Sequence, residues 1–228
     1  MIWEACNGPN HLKSLKVEGF RISTPANSMH LSYSAESHDL LEMMLEGNKP
    51  PIEIGDYLID SPFRYPPLLN SSRFGTRNER GVFYGSKDIL CCMAEVSKNM
   101  FQFASDPKTP LPPFKVPEHV SFEFSLKTVR GVDLSKLPFD CYKKQLTSRA
   151  SYADTQPLGQ DMRAADVEAC LFRSARYDGQ NIAAFKPDIL KRKPKTIWSW
   201  SCFVTTELVN FVCSARRESH QFNKQDLM

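Results

Sequence analysis

No two of the seven cysteines in this 228-residue chain stand at the CxxC spacing of a redox or metal motif. An odd number at irregular intervals argues against a disulfide framework or a zinc site. Cys91 and Cys92 are adjacent, and Cys170, Cys202 and Cys213 sit in apolar, strand-like runs. They read as buried free thiols of a reducing compartment, because unpaired cysteine packs as a small hydrophobe. Neither GxxxxGK[ST] nor GxGxxG occurs, so phosphate binding by a glycine loop at a helix N-terminus has no support. No GxSxG elbow is present and no histidine stands at a nucleophile's spacing from Ser174, which excludes serine-hydrolase chemistry. The five histidines, at 11, 30, 38, 119 and 220, show no metal-ligand spacing. The longest apolar region, from Ile197 to Val212, is broken by Ser, Thr, Asn and Glu207 and cannot cross a bilayer cheaply. The first residues show no basic stretch leading into an apolar one, so the expectation is a cytoplasmic chain without a secretory leader.

What is present is ordinary for a globular protein: 41% hydrophobic and 24% charged residues. The length suits one large domain, or one domain with an extension, able to bury roughly 70% of its unfolded surface. A net charge of +3 is too small to argue for nucleic acid or a membrane surface. It is compatible with an anionic small molecule.

The predicted elements form an α+β fold with a mixed, mostly antiparallel sheet and flanking helices. Residues 1–56 are expected to be a helical N-terminal extension packed on a main domain at 57–228. Its helix runs from an N-cap at Ser37 to a stop at Gly47, with Leu40, Leu41, Met44 and Leu45 on one face. Gly81 to Ser86 has the composition of a buried strand. Asp88 then caps a helix whose apolar face is Ile89, Cys92, Met93, Val96 and Met100, with Glu95 off that face. Five prolines between Asp106 and Pro117 predict an extended surface linker. Val120, Phe122, Phe124 and Leu126 alternate with polar residues, the pattern of a half-buried strand. A helix is expected over Leu158–Glu168, then strands Ala169–Ser174 and Asn181–Lys186 joined at Asp178-Gly179. One or two last strands occupy 198–213.

Several side chains stand out for their chemistry. Arg64 lies between Phe63 and Tyr65 ahead of Pro66-Pro67, a stiff frame from which a planar guanidinium can grip a pyrophosphate. A solvated Arg is the bland alternative. Arg73 has the same two readings, with Phe74 as an anchor for its loop. Tyr84 is either a core residue with a satisfied hydroxyl or a ring facing a cleft, where it can stack on a flat ligand ring. Glu95 is either a surface carboxylate or one that points at a cleft. Ser174, flanked by Arg173 and Arg176, either makes a strand-end turn bond or hydrogen-bonds a ligand. The basic cluster Lys191-Arg192-Lys193 reads as a solvated loop, because no aromatic platform is interleaved.

Taken in order, these pieces resemble the RES-domain family, named for its Arg, Glu and Ser. The resemblance runs from about Pro62 to Pro187. It rests on Phe63-Arg64-Tyr65-Pro66-Pro67, Ser72-Arg73-Phe74, Gly81-Val82-Phe83-Tyr84-Gly85-Ser86 and Ala94-Glu95-Val96. It continues in Thr155-Gln156-Pro157-Leu158-Gly159, Ser174-Ala175-Arg176 and Ala183-Ala184-Phe185-Lys186-Pro187. It implies a fold like that of ADP-ribosyltransferase toxins. It also implies a toxin of a bacterial toxin–antitoxin pair that cleaves the nicotinamide–ribose bond of NAD+ by hydrolysis or phosphorolysis. On that resemblance Glu95 is the catalytic carboxylate, assisted by Arg64 and Ser174. Arg64 and Arg73 bind the pyrophosphate and ribose side, Tyr65 and Tyr84 frame the nicotinamide, and Ser174 completes the pocket. A carboxylate there stabilises the positive charge that grows on the ribose as the bond breaks. No metal or cofactor is implied; NAD+ is the substrate and inorganic phosphate a potential co-substrate. A small helical antitoxin is the implied partner, without direct contact to nucleic acid or membrane. The alternatives are an ADP-ribosyltransferase acting on a protein, and a non-catalytic nucleotide-binding module.

Overall fold

The computed structural model describes residues 1–23, 56–63, 66–68, 70–105 and 114–228. Among them, eight strands form one mixed, mostly antiparallel sheet, accompanied by helices, in the spatial order β1-β2-β5-β4-β3-β6-β7-β8. The strands are β1 (Lys13–Ser23), β2 (Phe83–Ser86), β3 (Phe114–Asp133), β4 (Ala169–Arg173), β5 (Gln180–Ala184), β6 (Ile197–Val204), β7 (Leu208–Cys213) and β8 (Glu218–Asn223). The short parallel pairing of β3 with β4, at 131–133, is the exception to the antiparallel rule.

β3 organises the fold because it is twenty residues long and its two edges serve different neighbours. It pairs with β1 through residues 120–131 and with β6 through 114–122. Hydrogen bonding therefore runs β1-β2-β5-β4-β3 and returns from β3 to β1, closing those five strands on themselves. All five contribute to one core cluster, with Leu15, Val17, Phe83, Phe122, Phe124, Leu171 and Ile182 among its members. The opposite faces of β4 and β5 (Cys170, Phe172 and Ala183) pack with Phe74, Leu158 and Met162 into a second cluster. The third joins the long helix Ile89–Ala104 to Trp200, Val209 and Phe211. Fully burying a Val, Leu, Ile, Phe or Met side chain in such a cluster contributes about 1.5–3 kcal/mol.

Four sequence expectations need correction. Part of the expected helical extension is a strand: Lys13–Ser23 is β1, in register with β3 from Leu15↔Thr128 to Ser23↔Val120. Buried Leu15 and Val17 alternate with exposed Ser14, Lys16 and Glu18, a period of two that only a strand satisfies. A boundary at residue 56 would thus split the sheet. The expected helix from Ser37 to Gly47 lies outside the described residues.

Residues 106–113 of the proline-rich stretch also lie outside, but Phe114 to Val116 are not linker. They pair with Val204 to Cys202. The register shifts between Val116 and His119, where Pro117 has no N–H to give the ladder. The helix expected over Leu158–Glu168 occupies Thr155–Ala164 instead. It ends where Asp166 takes the left-handed conformation (φ 57°). Gly159 sits inside this helix because a Cβ there would lie 2.3 Å from the Phe74 carbonyl oxygen. Finally, β8 extends past the last expected strand. Its Glu-Ser-His-Gln sequence carries little apolar signal, and only pairing with β7 from Leu208↔Asn223 to Cys213↔Glu218 makes it a strand.

Candidate active site

The long helix sets the position of Glu95. It begins where the Asp88 carboxylate accepts the Leu90 N–H at 2.6 Å. Cys92, Met93, Met100 and Phe101 are buried against the β6–β8 side of the sheet, which fixes the helix's rotation. Cys91, Glu95 and Lys98 follow one another at spacings of four and three and so share a separate stripe. That stripe meets the connection between β4 and β5.

The connection is six residues long, from Ser174 to Gly179, and is closed by the Ser174 N–H donating to the Gly179 carbonyl at 2.9 Å. Glycine at 179 allows close approach, since a Cβ there would lie in tight contact, 3.0 Å from the Cys91 sulfur. The Ser174 hydroxyl oxygen accepts the backbone N–H groups of Arg176 (3.1 Å) and Tyr177 (3.2 Å). Its own O–H is thereby aimed at Glu95 Oε1, 2.6 Å away. Asn181 Nδ2 donates to the same oxygen at 2.9 Å. Arg176 Nη1 reaches Glu95 Oε2 at 3.4 Å. The Arg176 side chain is 3% exposed and that of Glu95 30%, so the guanidinium lies behind the carboxylate and the carboxylate borders solvent. Arg176 Nε is buried and meets no acceptor among the described residues.

Two more cations act on this group. Burial, and then the charge of Arg176, lowers the pKa of Lys98, while Glu95 raises it. Burial lowers that of Arg73, which also feels Glu95 and Arg176. Three cations around one carboxylate leave a positive excess that favours an anionic ligand.

Arg73 itself is held by the backbone. Its Nη1 donates to the Leu146 carbonyl at 2.7 Å and its Nη2 to that of Ser148 at 3.0 Å. Its guanidinium lies 5.1 Å from the centre of the Tyr152 ring. Beside it Phe74 is fully buried, edge-on to Phe172 at 4.9 Å, the anchor expected of it. Tyr84 points to the same loop. Its hydroxyl accepts the Phe74 N–H at 3.0 Å and donates to Ser72 Oγ at 3.0 Å, and burial pushes its pKa up to about 12.

The fold thus brings Glu95 and Ser174, 79 residues apart, into direct contact, with Arg73 in electrostatic range. Tyr84 supports the Arg73 loop rather than touching the carboxylate. Arg64 and Tyr65 lie outside the described residues. Sequence reasoning assigned no role to Arg176, Lys98 or Asn181. The signals were a second arginine two residues beyond Ser174, a lysine one turn after Glu95, and an amide opening the apolar run Asn181-Ile182-Ala183-Ala184.

The RES domain matches residues 51–202 of this chain. The chain belongs to the RES-domain family. The matched region holds Glu95, Ser174 and the other expected site residues, but it begins after β1 and ends within β6. The RES-domain chain is also similar to a chain in the crystal structure of the M. tuberculosis MbcT–MbcA toxin–antitoxin complex. The identity is 13%, the TM-score 0.48, and the coverage 90% of this chain and 92% of that one. No curated protein matches it. Among the described residues, no helix is long and apolar enough to cross a membrane.

Proposed function

We propose that this chain is an NAD+-degrading toxin of a toxin–antitoxin pair, acting in the cytoplasm on the nicotinamide–ribose bond. Family membership suggests the substrate. The observation that carries the reading is the Glu95 carboxylate, 30% exposed and gripped from behind by Ser174 and Arg176. In the reaction the bond from the nicotinamide nitrogen to the ribose carbon breaks, and its electron pair leaves with the neutral base. Water or inorganic phosphate then bonds to that carbon, and in hydrolysis the water loses a proton. Positive charge peaks on the ribose between those events. A preorganised carboxylate is worth most at that moment, because it need not reorient.

Ser174 has a positioning part in this reading. Its hydrogen is already given to Glu95, and its oxygen holds two backbone N–H groups. Arg73, with both terminal nitrogens on carbonyls, contributes its charge to the anionic side of NAD+. Tyr84, whose hydroxyl is occupied, would offer the nicotinamide only its ring. Arg64 and Tyr65 are assigned the pyrophosphate and the base on the family resemblance alone. The same resemblance suggests an ADP-ribosyltransferase-like fold and a small helical antitoxin covering the cleft.

The test is product analysis by mass after incubating the full chain with NAD+, with and without added phosphate. Release of nicotinamide with ADP-ribose, or with its 1″-phosphate when phosphate is present, is the expected result. Saturable NAD+ binding without nicotinamide release would overturn it in favour of a binding module. Labelled ADP-ribose on protein would make it a transferase.

A further inference from the structure

We propose that Asn181, held in turn by Ser86, is the residue that decides which oxygen of Glu95 faces the substrate; this rests on the function proposed above. The final torsion of a glutamate is broad and two-fold, so its intrinsic preference does not orient the carboxylate. External donors must do it. Oε1 receives two short bonds, from Ser174 Oγ (2.6 Å) and Asn181 Nδ2 (2.9 Å). Oε2 receives only Arg176 Nη1 at 3.4 Å and keeps its remaining acceptor capacity. Oε2 is therefore the oxygen available to a ribose hydroxyl or to the developing charge.

The orientation of the Asn181 amide is itself determined. Its Oδ1 accepts from Ser86 Oγ at 2.6 Å and from the Cys91 thiol at 3.1 Å. With both donors on that side, the NH2 end must face Glu95; the reversed amide would set oxygen against oxygen. The relay is shielded from water, since Asn181 is 5% exposed and Ser86 2%. The fold does not require it. Asn181 is paired through its backbone with Ser86 on one side and Phe172 on the other, as any residue there would be. A buried amide in an apolar strand is costly unless satisfied. Here every bond its side chain makes leads to the carboxylate or fixes the amide that does.

The experiment measures nicotinamide release by the full-length wild type, Asn181→Ala, Asn181→Asp and Ser86→Ala across pH, beside thermal unfolding of each. Asn181→Ala is expected to lower kcat roughly 10- to 100-fold, with KM changed less than about threefold. Ser86→Ala should show a smaller loss of the same kind. Asn181→Asp should regain activity relative to Asn181→Ala on acidification, because a protonated Asp again offers Oε1 a hydrogen. A folded Asn181→Ala with kcat within about twofold of wild type, or parallel pH profiles for the Ala and Asp variants, would overturn the assignment. If the wild type itself releases no nicotinamide, the proposed function falls instead. Crystal structures of wild type and Asn181→Ala then decide the positioning role: a Glu95 carboxylate unmoved in the variant overturns it, and a rotated or split one supports it.

Discussion

The loop around Arg73 and the hairpin that carries Arg176 both bury a guanidinium, and they use it in opposite ways. In the loop, the partners are main-chain groups. Arg73 closes onto the carbonyls of Leu146 and Ser148, Arg163 onto those of Phe74 and Arg80, and the Tyr84 hydroxyl takes the Phe74 N–H. In the hairpin, side chain meets side chain: Ser174, Asn181 and Arg176 all converge on Glu95, and one guanidinium nitrogen has no acceptor among the described residues. Backbone acceptors are always present, so an arginine on them ties segments together. A side-chain cluster with spare bonding capacity beside solvent is organised for something that arrives from outside.

The largest expected effect falls on the hairpin side. Glu95→Gln keeps the shape but removes the charge, and should lower nicotinamide release by at least about 10²–10³-fold without shifting the thermal midpoint appreciably. Activity close to wild type would show that the hairpin cluster is structural after all.

The two arginines should then separate in a paired measurement of urea unfolding and turnover. Arg73→Met strips a donor from two carbonyls and should cost roughly 3 kcal/mol of stability. Arg176→Met should change stability by less than about 1 kcal/mol, because Glu95 is 30% exposed and keeps its bonds from Ser174 and Asn181, while reducing turnover. Equal destabilisation by both would erase the distinction.

His119 provides a control outside both regions. It is buried on β3 beside Phe211 (ring centres 6.1 Å apart), and its Nδ1 has no partner among the described residues. Burial pushes its pKa down to about 4 from the usual 6.5. With the folded value below the unfolded one, the unfolded chain binds the extra proton between those limits. This contribution is therefore absent as a penalty above pH 6.5 and grows as pH falls toward 4, where it reaches about 3 kcal/mol. Unfolding free energy measured against pH should show that decline in the wild type and a shallower one in His119→Phe. Identical slopes would mean that the site opens to water before it protonates.

The smallest effect on turnover belongs to Tyr84→Phe, which leaves the buried Phe74 N–H without its acceptor and should cost about 1–2 kcal/mol of stability. Nicotinamide release should be nearly unchanged if Tyr84 acts through the loop. A large rise in KM at unchanged stability would place the hydroxyl in contact with substrate.

How far the chain could be read in advance varies along it. The helix after Asp88 was legible because its cap and apolar face both lie within one short window. So were β2, the middle of β3 and the β4–β5 pair, whose local patterns match their burial. β1 was not read as a strand: the alternation of Leu15 and Val17 with polar neighbours is short, and the partner that makes it a strand of the sheet, β3, lies more than 100 residues later. β8 was hidden for the same reason, as a polar edge strand held by its neighbour. At the site, Glu95 and Ser174 were visible through their family pattern, but the local mark on Asn181 was only an amide opening an apolar run, and its bonds to Glu95 and Ser86 depend on what stands on its two sides.

By itself, then, the order of residues determined the family, the class of fold and the carboxylate to examine, since each is written in short-range pattern. Only the tertiary structure decided that β1 closes the ring of strands, that Arg73 ties down a loop and that Asn181 and Arg176 surround Glu95. Those are contacts between groups tens of residues apart, and hydrogen-bond partners are chosen by distance in space, which no local window of sequence contains.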